Sequence, residues 1–331
     1  MVRAMSLTEA LFGIPSDIEV QPEITNGFLA TGLSGLDEFR RYLYNLGYTD
    51  GKLEEILIEI YREVKKRCLA DPSYEELLAV VCSEIGSFYL DMNHDRAEKF
   101  LLEAFNLRSK LYGSKRTYEL AGTMNRLGIF YVRNEKFEKA ELMFEDAYTI
   151  LKELYEEYGV DEEDYAIAAL NLGTFYYETY RAEIALKYLL EALKHRNALP
   201  CNGAAAYHNL ALAYEDLENF DRAAECYFKA ACIEFLDRYG IVNVKELLQK
   251  ACNLSKNHDY YAFYLGYLVL EGDVDFDSAR KELAGLELDR CKALLEALNS
   301  GNMDTVKKCL EECSNSMLQN VNGGIVWTRR N

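Results

Sequence analysis

Histidine and cysteine are the side chains in this sequence best suited to act as bases, nucleophiles or metal ligands, and neither type is clustered. The four histidines, which form no paired motif with a nucleophile, are His94, His195, His208 and His258. Cys309 and Cys313 share one helical face, a spacing that can bind zinc, but no further Cys or His pair completes a ligand set. We therefore predict no catalytic residues and no metal site.

Phosphate chemistry is disfavoured as well. The stretch Gly32-Leu33-Ser34-Gly35 lacks the lysine that a phosphate-binding loop requires, and no convincing strand is present in the sequence. The sequence predicts a protein that is not an enzyme and carries no cofactor. The 9 cysteines are dispersed without a CxxC pair, which favours reduced, buried thiols in a reducing compartment.

Charge and hydropathy limit the partners. The 331 residues include 37 basic and 55 acidic side chains, a net charge of −18. Because phosphate binding needs a basic surface, nucleic acid is an unfavourable main partner, and basic or neutral protein ligands are favoured. No apolar run of about 18 residues could span a bilayer, and the N-terminus lacks a signal-peptide pattern. We expect a cytoplasmic protein that is not integral to a membrane; its oligomeric state is left open.

The strongest pattern is a recurring set of small and bulky residues. Counted from Gly128, Tyr131, Ala140, Phe144 and Ala147 stand at offsets of 3, 12, 16 and 19 residues. The same offsets recur from Gly173 (Tyr176, Ala185, Leu189, Ala192) and from Ala211 (Tyr214, Ala223, Tyr227, Ala230). A slightly shorter copy begins at Gly86 and continues through Tyr89, Ala97, Leu101 and Ala104.

These four anchors, Gly86, Gly128, Gly173 and Ala211, are 42, 45 and 38 residues apart, and such a period is typical of a helical solenoid. Each copy predicts two antiparallel helices joined by a tight turn. A small anchor residue lets the two helices approach closely, with axes near the lower end of about 8–10 Å. The aromatic residue and the bulky apolar residue then fill the space on either side.

The pattern resembles the tetratricopeptide repeat, in its long form of roughly 42 residues similar to kinesin light chains. The resemblance covers residues 74–238 and rests on the four sets of anchors and on the helix openings NLGTFYYE and HNLALAYED. It implies an all-α, right-handed α-solenoid with helical caps, and a concave groove that binds a peptide or partner helix. We therefore expect a protein–protein interaction adaptor or scaffold.

The predicted organisation has five parts. They are an N-terminal segment 1–33, capping helices 34–73, four repeats 74–239, degenerate helix pairs 240–318 and a tail 319–331. Two prolines and three glycines limit helix in the first part, which forms either a loose tail or an extended apolar segment packed along the solenoid. The tail, with Trp327 before Arg329 and Arg330, is either inert or occupies the groove of a neighbouring molecule.

The C-terminal helices carry a second, shorter resemblance. The stretch from Asp259 to Leu318 is similar to the last helices of the soluble NSF attachment proteins. The motif lies in residues 289–312, where Cys-Lys precedes Leu-Leu-Glu-Ala, a short turn and an amphipathic helix. The leucine-rich end of that family is absent. This resemblance leaves open a membrane-traffic adaptor that stimulates a partner ATPase. A further alternative is a regulator that senses short peptides.

The tetratricopeptide resemblance also implies which side chains line the groove. Positions two and three before each anchor, and four and five after it, fall on one helical stripe. In repeats two to four the candidates are Asn125, Arg126, Arg133, Asn171, Tyr177, Glu178, His208, Asn209, Glu215 and Asp216. Asn171 and Asn209 match the asparagines that grip a ligand backbone, although each could instead bond a neighbouring helix. Basic residues at one end and acidic residues at the other favour a basic or neutral segment near repeats three and four.

Overall fold

The computed structural model describes residues 50–113, 116–159, 162–238, 240, 243–284, 286 and 292–319. The predicted segment 1–33, the predicted helix 34–46 and the tail beyond Gln319 lie outside the described residues. The chain divides into two compact units, residues 1–164 and 165–331.

Helix pairs make up the described part of the first unit. Its helices are α1 (Asp50–Ala70), α2 (Glu75–Asp91), α3 (Arg96–Tyr112), α4 (Tyr118–Arg133) and α5 (Phe137–Tyr158), with a short 3-10 turn at Pro72–Tyr74. Helix α2 packs mainly on α3, and α4 mainly on α5, while α1 and α2 also touch, as do α3 and α4. Each pair therefore packs on the next along the chain.

The second unit is built in the same way. Its helices are α6 (Glu162–Glu178, whose first three residues precede the unit boundary), α7 (Ala182–Lys194), α8 (Ala204–Asp216), α9 (Phe220–Asp237), α10 (Val244–Leu254), α11 (His258–Glu271), α12 (Phe276–Leu283), α13 (Lys292–Asn299) and α14 (Met303–Gln319). All regular elements of the described residues are helices. The predicted all-α fold of the α-solenoid class is confirmed.

Capping residues set several helix ends. The side chains of Thr117, Asn243 and Asp275 accept a hydrogen bond from the backbone N–H three residues on, and so satisfy one free donor of the helix that follows. Gly159 ends α5 in the left-handed region, with φ of 63°. These local signals fix where the helices of a pair stop.

The turns inside the four repeats close with one shared hydrogen bond. The backbone N–H eight residues after each anchor donates, at 2.8 Å, to the carbonyl three after it, in the pairs His94–Tyr89, Lys136–Tyr131, Arg181–Tyr176 and Asn219–Tyr214. The residue before each donor is left-handed although none is glycine: Asn93, Glu135, Tyr180 and Glu218, with φ between 51° and 59°. The turn thus repeats with the packing pattern.

The anchors lie at the helix contacts, as predicted. Ala211 is 0% exposed, and Gly128 and Gly173 are buried. A methyl group built on Gly128 would lie 2.6 Å from the Phe144 ring, and one on Gly173 would lie 2.8 Å from the Leu189 side chain. Because real contacts of this kind are longer, only hydrogen fits between α4 and α5 and between α6 and α7.

Each repeat tyrosine at offset three is covered by a cation. The distance from the cation to the ring centroid is 4.5–5.7 Å in the pairs Arg96–Tyr89, Lys139–Tyr131, Arg181–Tyr176 and Arg222–Tyr214. The ring faces of these tyrosines therefore pack under charged side chains from the turn or the second helix. This gives a structural role to 4 of the 25 tyrosines in the chain.

Most of the described thiols are buried. Cys82, Cys226, Cys232, Cys309 and Cys313 are buried, whereas Cys68, Cys201 and Cys252 are partly exposed, and all eight are free. Burial raises the pKa of the Cys226 and Cys252 thiols to about 12. These groups stay protonated at neutral pH and are poor nucleophiles.

We expect Gly128→Ala to lower the free energy of unfolding by about 1–3 kcal/mol, because the added methyl group overlaps the Phe144 ring. Gly122→Ala, in the same helix, is the control. A methyl group there meets nothing nearer than an Arg126 nitrogen at 3.9 Å, so better helix propensity should stabilise by about 0.5–1 kcal/mol. The midpoints of thermal unfolding by circular dichroism compare the two. Equal shifts for both variants would contradict the close approach.

Native thiol labelling at pH 8 should reach only a minority of the 9 cysteines within the time that denatured protein labels completely. A buried thiol is inaccessible to the reagent, and its raised pKa keeps it protonated and unreactive. Mass spectrometry identifies the modified positions, and Cys82 and Cys232, both 0% exposed, should be the slowest. Native labelling of all nine at the denatured rate would disprove the burial described above.

Candidate partner-binding surfaces

In the first unit, the predicted groove residues of α4 reach back to α2. An Arg126 guanidinium nitrogen donates to Ser83 Oγ at 3.0 Å, and Arg133 donates to the carbonyl oxygen of Leu90. Both acceptors are neutral, and neither arginine forms an ion pair within the described residues. The two arginines therefore link two helices while keeping an uncompensated positive charge.

A buried arginine that sequence reasoning missed lies beside them. Arg108 of α3 is 5% exposed and donates to the Glu119 carbonyl oxygen at 2.9 Å, to Ser83 Oγ at 3.4 Å and to Thr123 Oγ1. Burial, and then the charge of Arg126, lowers the pKa of Arg108 from its usual value. Ser83 thus accepts from two guanidinium groups. The only sequence signal was a charged residue within the apolar stripe of α3.

Asn125, the third predicted groove residue of this unit, is buried rather than open. It is 8% exposed, and its Oδ1 atom has no hydrogen-bond partner. A side chain so enclosed presents little surface to a partner. Arg126, which is partly exposed, and Arg133, which is exposed, are the more accessible members of the set.

In the second unit, aromatic and acidic predicted residues come together. Burial raises the pKa of the Tyr177 hydroxyl, and the neighbouring charges of Asp216 and Glu215 raise it further. Asp216 is exposed and forms no ion pair within the described part of the chain. We call Tyr177, Glu215 and Asp216 the acidic–aromatic surface. Because carboxylates and ring faces both attract cations, this surface can hold a basic side chain.

Two residues that the sequence did not predict for the groove, Tyr227 and Lys250, lie next to the acidic–aromatic surface. Tyr227 donates its hydroxyl proton to Glu215 Oε2 at 2.7 Å, and Lys250 Nζ lies 4.8 Å from the Tyr227 ring centroid. Tyr227 was expected only as a core residue, and it is 0% exposed. Lys250 belongs to α10, beyond the recognised repeats. The ammonium group of Lys250 therefore already occupies one face of the Tyr227 ring.

His208 sits beside the same pair of side chains. Its ring centroid is 5.9 Å from that of Tyr227. Burial, and then the charge of Lys250, lowers the pKa of His208 from its usual value. The imidazole is therefore neutral at pH 7 and can serve only as a hydrogen-bonding group there.

The two predicted asparagines differ in their bonding. Asn209 of α8 donates its amide to Thr174 Oγ1 of α6 at 2.8 Å, and Thr174 in turn donates to the Leu170 carbonyl oxygen. Asn171, which is also partly exposed, forms no side-chain hydrogen bond with another described residue. The alternative of a bond to a neighbouring helix thus applies to Asn209. Asn171 keeps its amide available.

Glu178 is the last residue of α6 and is exposed, and partial loss of hydration raises the pKa of its carboxyl group.

Two histidines outside these surfaces have structural contacts. His94 accepts a hydrogen bond from the Arg96 backbone N–H at 3.1 Å, and His195 packs on Tyr165. Within the described ranges, no group of three or more His, Cys, Asp or Glu side chains is arranged to hold a metal ion.

None of the helices in the described part of the chain combines the length and the apolar character needed to cross a membrane.

Comparison with known proteins adds three findings. A family model described as Tetratricopeptide repeat matches residues 77–153, which run from α2 into α5. The crystal structure of BtubC (BKLC) from P. vanneervenii is similar at 19% sequence identity and a TM-score of 0.49, covering 86% of this chain and 96% of that chain. No curated protein matches. The prediction of tetratricopeptide-type repeats is confirmed, and residues 77–153 of this chain consist of them.

Proposed function

We propose that this protein is a non-enzymatic adaptor or scaffold that binds an extended peptide or partner segment on the first helices of its repeats. Tetratricopeptide repeats in general support protein–protein interaction. We infer the binding helices and the chemistry of the ligand from the side chains of each unit. The support for a peptide in the second unit comes from one contrast between two asparagines.

The two asparagines differ in whether the side-chain amide is hydrogen-bonded within the protein. Asn209 is held by Thr174 across α6 and α8, whereas Asn171, one repeat earlier at the same position, has no such bond within the described residues. A side-chain amide both donates and accepts, so it can pair with the N–H and C=O groups of an extended backbone. We infer that Asn171 contacts the ligand and that Asn209 holds the surface together.

Substituting the two asparagines separately tests this division. Asn209→Ala should lower the free energy of unfolding by about 0.5–1.5 kcal/mol, because Thr174 loses its partner. Asn171→Ala should change it by less than about 0.5 kcal/mol, yet reduce several-fold the amount of partner captured from native extract. Thermal unfolding and quantitative mass spectrometry measure the two effects.

The control is Asn315→Ala, an exposed asparagine of α14 that donates to the Glu311 carbonyl oxygen of its own helix. It should retain capture at the wild-type level. If Asn171→Ala also captured as the wild type does, or if only its stability fell, Asn171 would be a structural residue and the proposed ligand contact would be excluded.

The charge of the proposed ligand follows from the acidic–aromatic surface. Glu215 has its proton donor in Tyr227, but Asp216 is exposed and without an ion pair in the described ranges. A lysine or arginine side chain placed between Tyr177 and Asp216 would gain both an ion pair and a ring contact. An acidic side chain would meet two carboxylates. We therefore propose a basic or neutral segment at this surface.

A basic peptide should bind the full chain several-fold more tightly than an acidic peptide of equal length, and its affinity should fall as salt rises from 0.05 to 0.5 M, roughly. Asp216→Asn should remove most of this preference. Glu312→Gln on α14 makes the same change of net charge elsewhere and should leave the preference intact. Fluorescence anisotropy of the two labelled peptides measures their affinities for the wild type and for both variants. Equal affinity for both peptides, or an equal effect of the two variants, would refute the assignment.

A further inference from the structure

The buried Arg108 of α3 uses only part of its guanidinium group. Its hydrogen bonds to the Glu119 carbonyl oxygen, Thr123 Oγ1 and Ser83 Oγ are all donated by Nη1. Nε is buried without a hydrogen-bond partner, and Nη2 forms no hydrogen bond with another described residue. Nε and Nη2 together make one of the edges with which an arginine holds a carboxylate or phosphate group through two parallel hydrogen bonds. This edge of Arg108 is not bonded within the described part of the chain.

The charge of Arg108 is not neutralised by a contacting carboxylate. Glu76 and Glu119 lie near enough to raise the pKa of the guanidinium, but burial and the positive charge of Arg126 outweigh them and lower it. Arg108 forms no ion pair within the described residues. A buried charge is costly unless it is paired, and buried charges in proteins are normally paired. The described residues therefore supply no counter-ion in contact with this guanidinium.

A second guanidinium group lies beside the first. Arg126 of α4 donates from Nη1 to Ser83 Oγ at 3.0 Å, so two cations share this one hydroxyl oxygen. Arg126 is partly exposed and forms no ion pair in the described ranges, so an anion from solvent can reach this member of the pair. An anion between the two groups would offset their mutual repulsion and pair with the buried charge of Arg108.

Comparison with the next repeat shows that packing does not require a charge at this position. Arg108 stands four residues after Ala104, the last alanine of the first repeat pattern. Four residues after the corresponding Ala147, the second repeat has Leu151, which is 1% exposed. An apolar side chain thus fills the equivalent place, and an apolar residue in place of a buried charge is often neutral or stabilising. Arg108 gives the first repeat a bonding capacity that the second lacks.

We propose that Arg108 and Arg126 form a binding site for one oxyanion where α2, α3 and α4 meet. The unbonded edge of Arg108 and the remaining donors of Arg126 bind the oxygens of a phosphate or carboxylate group, and Ser83 holds the two guanidinium groups together. The ligand is inorganic phosphate or a molecule with a carboxylate group. This oxyanion site lies in the first unit, whereas the acidic–aromatic surface lies in the second, and it does not require a peptide ligand there.

Thermal unfolding of the full chain tests the oxyanion site. At constant ionic strength, replacing chloride by millimolar inorganic phosphate should raise the unfolding midpoint by several degrees and then saturate, because a ligand of the folded state stabilises that state. Arg108→Leu, which introduces the residue of the second repeat, should lose this rise. Arg62→Gln removes the same charge from an exposed position of α1 and should keep it. No saturable rise in the wild type, or an equal rise in Arg108→Leu, would overturn the proposal.

Phosphorus NMR gives a direct readout that also covers the case in which Arg108→Leu does not fold. The phosphate signal should broaden with the wild type and with Arg62→Gln, and several-fold less with Arg126→Gln. Added acetate distinguishes the two sources of the anion: narrowing of the broadened signal shows that the site accepts a carboxylate, and unchanged broadening confines it to phosphate. Equal broadening by the wild type and Arg126→Gln would contradict a site formed by the two arginines.

Discussion

The close approach of two helices at a residue with little or no side chain is the constraint on which the structure depends. Gly128 and Phe144 show it most directly, because the ring occupies the space that a methyl group on Gly128 would need. The same relation joins Gly86 to Leu101 and Gly173 to Leu189. Once the helices of a pair are this close, the flanking tyrosines and alanines have defined positions, and each pair presents a regular surface to the next.

The turns reinforce this geometry. In each repeat, the backbone N–H of the eighth residue after the anchor donates to the carbonyl oxygen of the third residue after it. The residue just before the donor has a left-handed conformation. A non-glycine residue in that conformation costs energy, about 1–2 kcal/mol, and Tyr180, 93% exposed, gains no burial in return. The shared hydrogen bond and the packing of the two helices together offset that cost.

The surfaces proposed for binding are made from side chains that also hold neighbouring repeats together. Arg126 joins α4 to α2 through Ser83, and Asn209 joins α8 to α6 through Thr174. What distinguishes a candidate ligand contact is spare bonding capacity: the amide of Asn171, the carboxylate of Asp216 and the charges of Arg126 and Arg133. A partner would bind to groups that the fold holds in place but does not itself hydrogen-bond or ion-pair fully.

The sequence by itself determined the helix pairs, because their anchors, bulky residues and turns recur at fixed offsets, and local capping signals such as Thr117 and Gly159 mark their ends. Beyond the repeats it indicated degenerate helix pairs in residues 240–318, where the structure has helices such as Val244–Leu254 and Phe276–Leu283. It could not separate Asn171 from Asn209, since both stand two residues before an anchor and only the position of Thr174 on the neighbouring helix decides which amide is bonded.

Only the tertiary structure decided the state of the charged and buried groups. Arg108 differs in sequence only as a charge within an apolar stripe, yet α2, α3 and α4 enclose it. Burial and the nearby Lys250 lower the pKa of His208. Asn125 fits the groove pattern but is buried, because a helical stripe specifies a direction and not the depth at which a neighbouring helix covers it. Burial, pKa and pairing depend on contacts between residues far apart in the chain, which spacing alone does not encode.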